Sequence, residues 1–117
     1  MVVTKLSDNE VDRIFQALAD ATRRDIVQRV MVREQSVSDL ARAYAMSFAA
    51  VQKHVAVLER AQLITKERRG REQIVHGDPQ MLRRAARLLD AYEEIWRARV
   101  ESIQQILDQD NRKGTES

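Results

Sequence analysis

From Ser7 onward, apolar residues recur at intervals of three and four: Val11, Ile14, Phe15 and Leu18 form one stripe, and Ile26, Val27, Val30 and Met31 a second. That spacing gathers each set on one side of a helix and predicts two amphipathic α-helices. Ser7 and Glu10 form a capping-box pair, so the first helix is expected to start at Ser7 and run to about Ala19. Asp20 can cap the second, ATRRDIVQRVMV. A short loop, Arg33 to Gln35, follows. Ser36 and Asp39 make another capping-box pair ahead of Val37, Leu40 and Ala41, which predicts a short third helix ending near Tyr44, with Ala45-Met46 as the turn.

Ser47 is placed to cap a fourth helix running to about Ala61. At about 100° per residue, Val51, Val55 and Leu58 fall within about 60° of one another. Ala49, Lys53, Ala56 and Arg60 cluster on the opposite side, with Gln52 at the border. One side is therefore anchored and the other is free. Beyond Leu63 the pattern shortens: in ITKERRGREQIV, the segments Ile64 to Arg68 and Arg71 to His76 flank Arg69-Gly70. β-Branched residues on both sides of a Gly predict a hairpin with a charged tip.

From Pro79 to about Gln109 the chain reads as one helix, with Asp78 as its cap and Pro in its first turn. Leu82, Leu89, Trp96 and Ile103 recur every seven residues, with Ala85, Tyr92 and Ile106 interleaved. Roughly 30 residues at about 1.5 Å each exceed the width of a domain of this size, so part of the helix is expected to overhang. Its apolar stripe then calls for a partner, and the same helix of a second copy is the natural one. Leu82, Leu89, Tyr92, Trp96, Ile103 and Ile106 are the expected dimer contacts. Tyr92 and Trp96 could alternatively line a ligand pocket. Residues 1–109 are expected to form one domain, with 78–109 as the dimerisation helix and 110–117 as a disordered tail.

Composition agrees with a single, mainly α-helical globular unit: 117 residues, 44% hydrophobic and 32% charged, with three Gly and one Pro. The segment MVVTKLSDNE has neither the basic start nor the apolar centre of a signal peptide, and no apolar run approaches the roughly 20 residues that span a bilayer. A cytoplasmic protein without a membrane partner is expected. The absence of cysteine excludes disulfides, thiolate metal sites and a cysteine nucleophile. Net charge is only +2, but it is uneven: Arg42 to Arg71 holds seven basic residues against two acids, whereas Asp90 to the end holds seven acids against four basic residues. The middle of the chain is the part suited to a polyanion.

Two short helices joined by a tight turn and followed by a basic hairpin make a winged helix-turn-helix, whose free helical side fits the DNA major groove. Small side chains at Ala49 and Ala56 permit close approach. Gln52 can bond an adenine edge, and Lys53 a guanine edge or a phosphate. Ser47 serves as a cap and also suits a phosphate, as do Arg69 and Arg71 on the wing. Phe48 can pack inward or meet a thymine methyl. His54, at the flank of the core side, can pack or touch the DNA backbone.

LADATRRDIV (18–27), VSDLARAYAMSFAAVQKHVAVLERAQLITKERRGREQIV (37–75) and AYEEIWRARVESI (91–103) resemble the ArsR/SmtB family of bacterial and archaeal winged-helix repressors, over nearly the whole chain. The likeness is greatest to the branch with an aromatic Y-x-x-x-W segment in its last helix, here Tyr92 and Trp96. It implies a homodimer, joined through its first and last helices, that binds an imperfectly two-fold operator and represses transcription. It places Ser47, Phe48, Ala49, Gln52, Lys53 and His54 at the groove. Family members commonly have Gln and Pro where this chain has Phe48 and Ala49. Metal-sensing members carry a Cys-x-Cys pair on the third helix, where this chain has Ser36-Val37-Ser38-Asp39, and a second family site uses a His on the last helix, which has none here. Neither site is matched, so no metal and no cofactor are expected.

The leading expectation is thus a sequence-specific repressor acting on double-stranded DNA. The alternative is a winged-helix module for protein or RNA partners. An enzyme is not expected, because the chain has no Gly-rich phosphate loop, no metal constellation and no nucleophile paired with His. The sequence names no effector.

Overall fold

A computed structural model describes residues 6–115, with side chains to residue 111. Residues 1–5, part of the segment read for a leader, and residues 116–117, the end of the expected tail, lie outside it. The elements are α1 (Asp8–Leu18), α2 (Ala21–Val32), β1 (Gln35–Ser36), α3 (Val37–Tyr44), α4 (Phe48–Arg60), β2 (Ile64–Arg69), β3 (Glu72–Gly77) and α5 (Pro79–Thr115). This is a winged helix-turn-helix. The sheet has three strands in the order β1-β3-β2, all antiparallel, rather than the predicted pair. β1 is only two residues long, too short to carry an alternation that sequence could reveal.

Local side-chain chemistry fixes the helix starts. Ser7 Oγ accepts the Glu10 N–H while Glu10 Oε1 accepts the Ser7 N–H, a complete capping box. Asp20, Ser36, Ser47 and Asp78 each accept a backbone N–H three residues ahead. The end of α1 is closed by the TRR run: Arg23 donates to the carbonyls of Ala17 and Gln16, and Arg24 to that of Leu18. The Gln16 carbonyl also accepts the Ala19 N–H at 3.3 Å, and the two arginines supply the partners that carbonyls of a last turn lack within their helix.

Two helices end through left-handed residues that are not glycine. Beyond α3, Ala45 has φ 52°, with bonds from the Ala45 N–H to the Arg42 carbonyl and from Met46 to Ala41. Beyond α4, Gln62 has φ 63°, with bonds from Gln62 to Glu59 and from Leu63 to Leu58. Both are Schellman closures, in which a Gly is usual. The first makes the tight turn between α3 and α4, and the second aims the chain into the wing.

The chain divides between Ala85 and Ala86 into two units. In the first, Ile26 of α2, Leu40 of α3, Val51, Val55 and Leu58 of α4, and Ile64 and Val75 of the sheet are all fully buried. Met81 and Ala85 on the first turns of α5 are buried in the same core, with Leu82 partly buried beside them. Leu82, expected at a dimer contact, is therefore engaged within its own chain. Gly77, at the end of β3, lies against α2: a Cβ there would stand 3.3 Å from the Met31 Cα and 2.1 Å from its Sδ. The second unit is the rest of α5, which extends to Thr115 rather than ending near Gln109. Most of its large apolar side chains are exposed: Leu89, Tyr92, Ile95, Trp96, Val100, Ile103, Ile106 and Leu107.

Candidate nucleic-acid interface

α4 carries Val51, Val55 and Leu58 inward, which turns Ala49 and Lys53 outward into solvent. Ser47 Oγ accepts the Ala50 N–H at 3.1 Å, so its cap role is filled, and its hydroxyl proton remains free to donate. Phe48 is 49% exposed, so core packing does not account for its ring. Gln52 is half-buried, and its Nε2 donates to Gln73 Oε1 of β3 at 2.9 Å. His54 is turned away from this side: its Nδ1 lies 3.4 Å from Arg23 Nη1 and 3.9 Å from Asp20 Oδ2, at the start of α2. The Asp20 carboxyl is held below its ordinary value, chiefly by the Arg23 N–H it accepts.

The wing turns at Gly70-Arg71, one residue later than predicted, because Arg69 pairs with Glu72 across the ladder. Gly70 has φ +65° and Arg71 does not share that sign, the pattern of a type II′ hairpin turn with Gly at its first central position. Arg69 is thereby a strand residue rather than a turn residue, and its facing follows from the ladder: successive strand residues point to opposite sides and directly paired residues share one. Lys66 and Arg68, opposite Val75 and Gln73, lie on the side toward α4: Lys66 Nζ is 3.4 Å from Glu59 Oε1, and Gln73 reaches Gln52. Glu67 and Arg69 lie on the other side.

There, Arg69 is held between two carboxylates. Its Nη1 donates to Glu34 Oε1 at 2.8 Å, and its Nη2 donates to Glu34 Oε2 at 3.1 Å and to Glu67 Oε2 at 3.2 Å. His76 stands between the same carboxylates, with Nε2 2.9 Å from Glu67 and Nδ1 3.4 Å from Glu34. Arg69 lowers the Glu34 pKa, while Glu67 is lowered first by His76 and then by Arg69. Glu34, Glu67 and His76 offer ligand atoms within 4.8 Å of one another, but the guanidinium already shared by both carboxylates would oppose a cation there.

The structure thus brings Ser47, Phe48, Ala49, Lys53 and Gln52 to one exposed end of α4, and it leaves Arg71 exposed at the wing tip. It sets His54 and Arg69 in polar contacts of their own. Arg68 was absent from the residues predicted for the interface, yet it is exposed on the wing side that meets α4. Lys53, Arg68 and Arg71 have no ion-pair partner among the described residues. The cluster of cations was legible in the sequence, but their sorting required the strand pairing and the contact with Glu34.

Between α2 and α3, the Tyr44 hydroxyl donates to Asp25 Oδ2, and Arg29 lies 5.1 Å from the Tyr44 ring centroid while bonding Asp25 at 2.9 Å. Burial, and then the Asp25 bond, push the Tyr44 pKa up to about 12. These contacts tie the last turn of α3 to α2.

Comparison with known proteins gives consistent likenesses. The family model described as "Bacterial regulatory protein, arsR family" matches residues 20–66, which contain α2, α3, α4 and the start of the wing. The chain is 35% identical over 97 residues to the HTH-type transcriptional regulator Rv2034 of Mycobacterium tuberculosis, covering 83% of this chain and 88% of that protein. It superposes with a TM-score of 0.73 on an ArsR-like transcriptional regulator from Rhodococcus sp. RHA1, at 32% identity over 84% of this chain and 92% of the other. The homodimeric winged helix-turn-helix DNA-binding domain of Mb0332 from Mycobacterium bovis shares the fold, with a TM-score of 0.62 at 22% identity over 79% of this chain and 92% of the other.

Proposed function

The chain belongs to the arsR family of bacterial regulatory proteins and carries a winged helix-turn-helix DNA-binding domain, and on that premise we propose that it is a homodimeric repressor of the cytoplasm. Its operator is an imperfect palindrome, each half read by one protomer. The exposed end of α4 enters the major groove, with Lys53 and Gln52 at base edges, Ala49 allowing close approach and Phe48 beside a thymine methyl. The Ser47 hydroxyl, Arg68 and Arg71 meet phosphates. His54 and Arg69 hold the scaffold in place. The protein catalyses no reaction and requires no metal.

One observation carries this reading: Lys53 on α4 and Arg68 on the wing are cations unpaired among the described residues, on surfaces that the Gln52–Gln73 bond joins. A polyanion satisfies such an arrangement without breaking an existing ion pair. Dimerisation is supported by the apolar side chains of α5 beyond Ala86, among them Trp96 at 64% exposure. Exposed apolar area on that scale marks an interaction surface.

The test is a titration of the full chain against a duplex recovered by selection from random DNA. Binding is expected to withstand excess non-specific competitor and to weaken steeply with salt. Binding that competitor abolishes, or that salt leaves untouched, would refute the proposal and favour a protein partner.

A further inference from the structure

The only side-chain hydrogen bond recorded between the α4 helix and the wing strand β3, among the described residues, joins two primary amides: Gln52 Nε2 donates to Gln73 Oε1 at 2.9 Å. Neither residue is buried, so water could satisfy both groups and the bond is not needed to relieve a desolvated polar atom. What it does is restrict rotation of the Gln52 amide at the border of the exposed side of α4.

We propose that Gln73 is a positioning residue for base reading: it fixes the Gln52 amide so that an adenine-reading edge faces the major groove. The inference rests on the DNA-binding function proposed above and adds to it a specificity role for a wing residue that need not touch a base. A Gln reads adenine by accepting from N6–H with Oε1 and donating to N7 with an N–H, both on one edge of the amide. The amide nitrogen has two hydrogens. In the proposed arrangement the one directed back toward Cγ serves Gln73 Oε1, which leaves the one beside Oε1 to complete the reading edge. With Gln73 in place the amide is presented in one orientation. Without it the amide rotates freely, both orientations are populated, and the site loses discrimination between an adenine edge and its reverse.

Immobilising a flexible side chain in advance of binding is worth about a three- to tenfold change in affinity for the one complex that uses it. The gain applies to the matched base pair alone, which separates this role from a general structural one. Arg68, directly opposite Gln73 in the ladder, supplies the charge on this side of the hairpin and is not the residue under test.

The experiment is competitive selection from random duplex DNA by the full chain as wild type, Gln52→Ala, Gln73→Met, Gln73→Glu and the double variant Gln52→Ala with Gln73→Met. Gln52→Ala is expected to flatten an A·T preference at one position in each half-site. Gln73→Met keeps the length and removes the acceptor, and it should weaken that same preference about three- to tenfold while leaving the other positions and the salt slope unchanged. Gln73→Glu keeps an acceptor at the same reach and should retain the preference. Gln73→Met should add nothing when Gln52 is already Ala. Should Gln73→Met fail to fold, the Glu variant and Gln73→Ala provide the same comparison.

An unchanged profile in Gln73→Met, beside a flattened one in Gln52→Ala, overturns the inference and leaves DNA binding standing. So does a profile that Gln52→Ala does not alter. A wild-type chain that selects no sequence overturns the DNA-binding reading itself, and the positioning role with it.

Discussion

Arg69 grips Glu34 through two bonds, Nη1 to Oε1 at 2.8 Å and Nη2 to Oε2 at 3.1 Å, joining the wing to the segment just before β1. A guanidinium committed to a carboxylate in this way has little left to give a phosphate. Glu34→Gln is therefore expected to release Arg69 and to add about one phosphate contact per protomer. Affinity for duplex DNA at low salt should rise, and the slope of log K against log salt should steepen by about one per released arginine. Fluorescence anisotropy across a salt series checks this. An unchanged slope would mean that Arg69 cannot reach the DNA even when free.

The same cluster predicts a pH dependence. Glu34 and Glu67 are both held below their ordinary value of 4.5 in the folded chain. A lowered folded-state pKa means that the stabilising contribution is present above the unfolded value and is lost as pH falls through the lowered one. The wing contacts should thus be intact at neutral pH and dissolve only in acid, as pH falls below the ordinary carboxylate value and through the lowered one. Carbon NMR titration of the two carboxyls checks the direction. In Arg69→Ala, the Glu34 titration should move back up toward 4.5, the ordinary value.

The cations facing the α4 side should behave differently from Arg69. Lys53→Ala is expected to weaken specific binding by about 1–3 kcal/mol, the range for a good base contact. Arg68→Ala should weaken binding to all sequences alike and reduce the salt slope by about one. Arg69→Ala should leave the slope unchanged. Equal effects of Arg68→Ala and Arg69→Ala would contradict the sorting of the wing arginines by strand side.

These contrasts mark where sequence ends as a guide. Helix starts were legible because a cap is a local device: Ser7, Asp20, Ser36, Ser47 and Asp78 each bond a backbone group three residues away. The buried stripe of α4 was legible for the same reason, since periodicity alone fixes which side is apolar. The pairing of Arg69 with Glu34 was not, because it spans 35 residues and depends on a strand of two. The hairpin pattern places Arg69 in the turn, whereas the residue closes β2 and points to the side where Glu34 lies, a contact that no local pattern announces. Leu82 fits the heptad but sits where α5 still packs in the first unit, a distinction that periodicity cannot make.

Backbone conformation offers a prediction independent of DNA. Gln62 holds φ 63° at the close of α4, where a side chain costs about 1 kcal/mol relative to Gly. Gln62→Gly is expected to raise the stability of the folded chain by about 0.5–1 kcal/mol, the gain being reduced by the freedom that Gly adds to the unfolded chain. Urea denaturation would show a higher midpoint at unchanged slope. In the opposite direction, Tyr44→Phe removes the bond to Asp25 while keeping the ring beneath Arg29, and it should cost about 0.5–1.5 kcal/mol.

In the proposed homodimer the exposed apolar side chains of α5 are the contact surface. Replacing Trp96 by Glu places a charge among Leu89, Tyr92 and Ile103, and the variant is expected to sediment as a single protomer at concentrations where the wild type is paired. Its core in the first unit should melt as before. Operator affinity should drop sharply, because each protomer alone holds only one half-site.

Hydroxyl-radical footprinting of the full chain on its selected duplex is the most direct examination of a paired molecule reading two turns of DNA. Two protected patches should appear with their centres about 10 base pairs, roughly 34–36 Å, apart, and both should vanish together in Trp96→Glu. A single protected patch, or two that survive that substitution unchanged, would contradict the account.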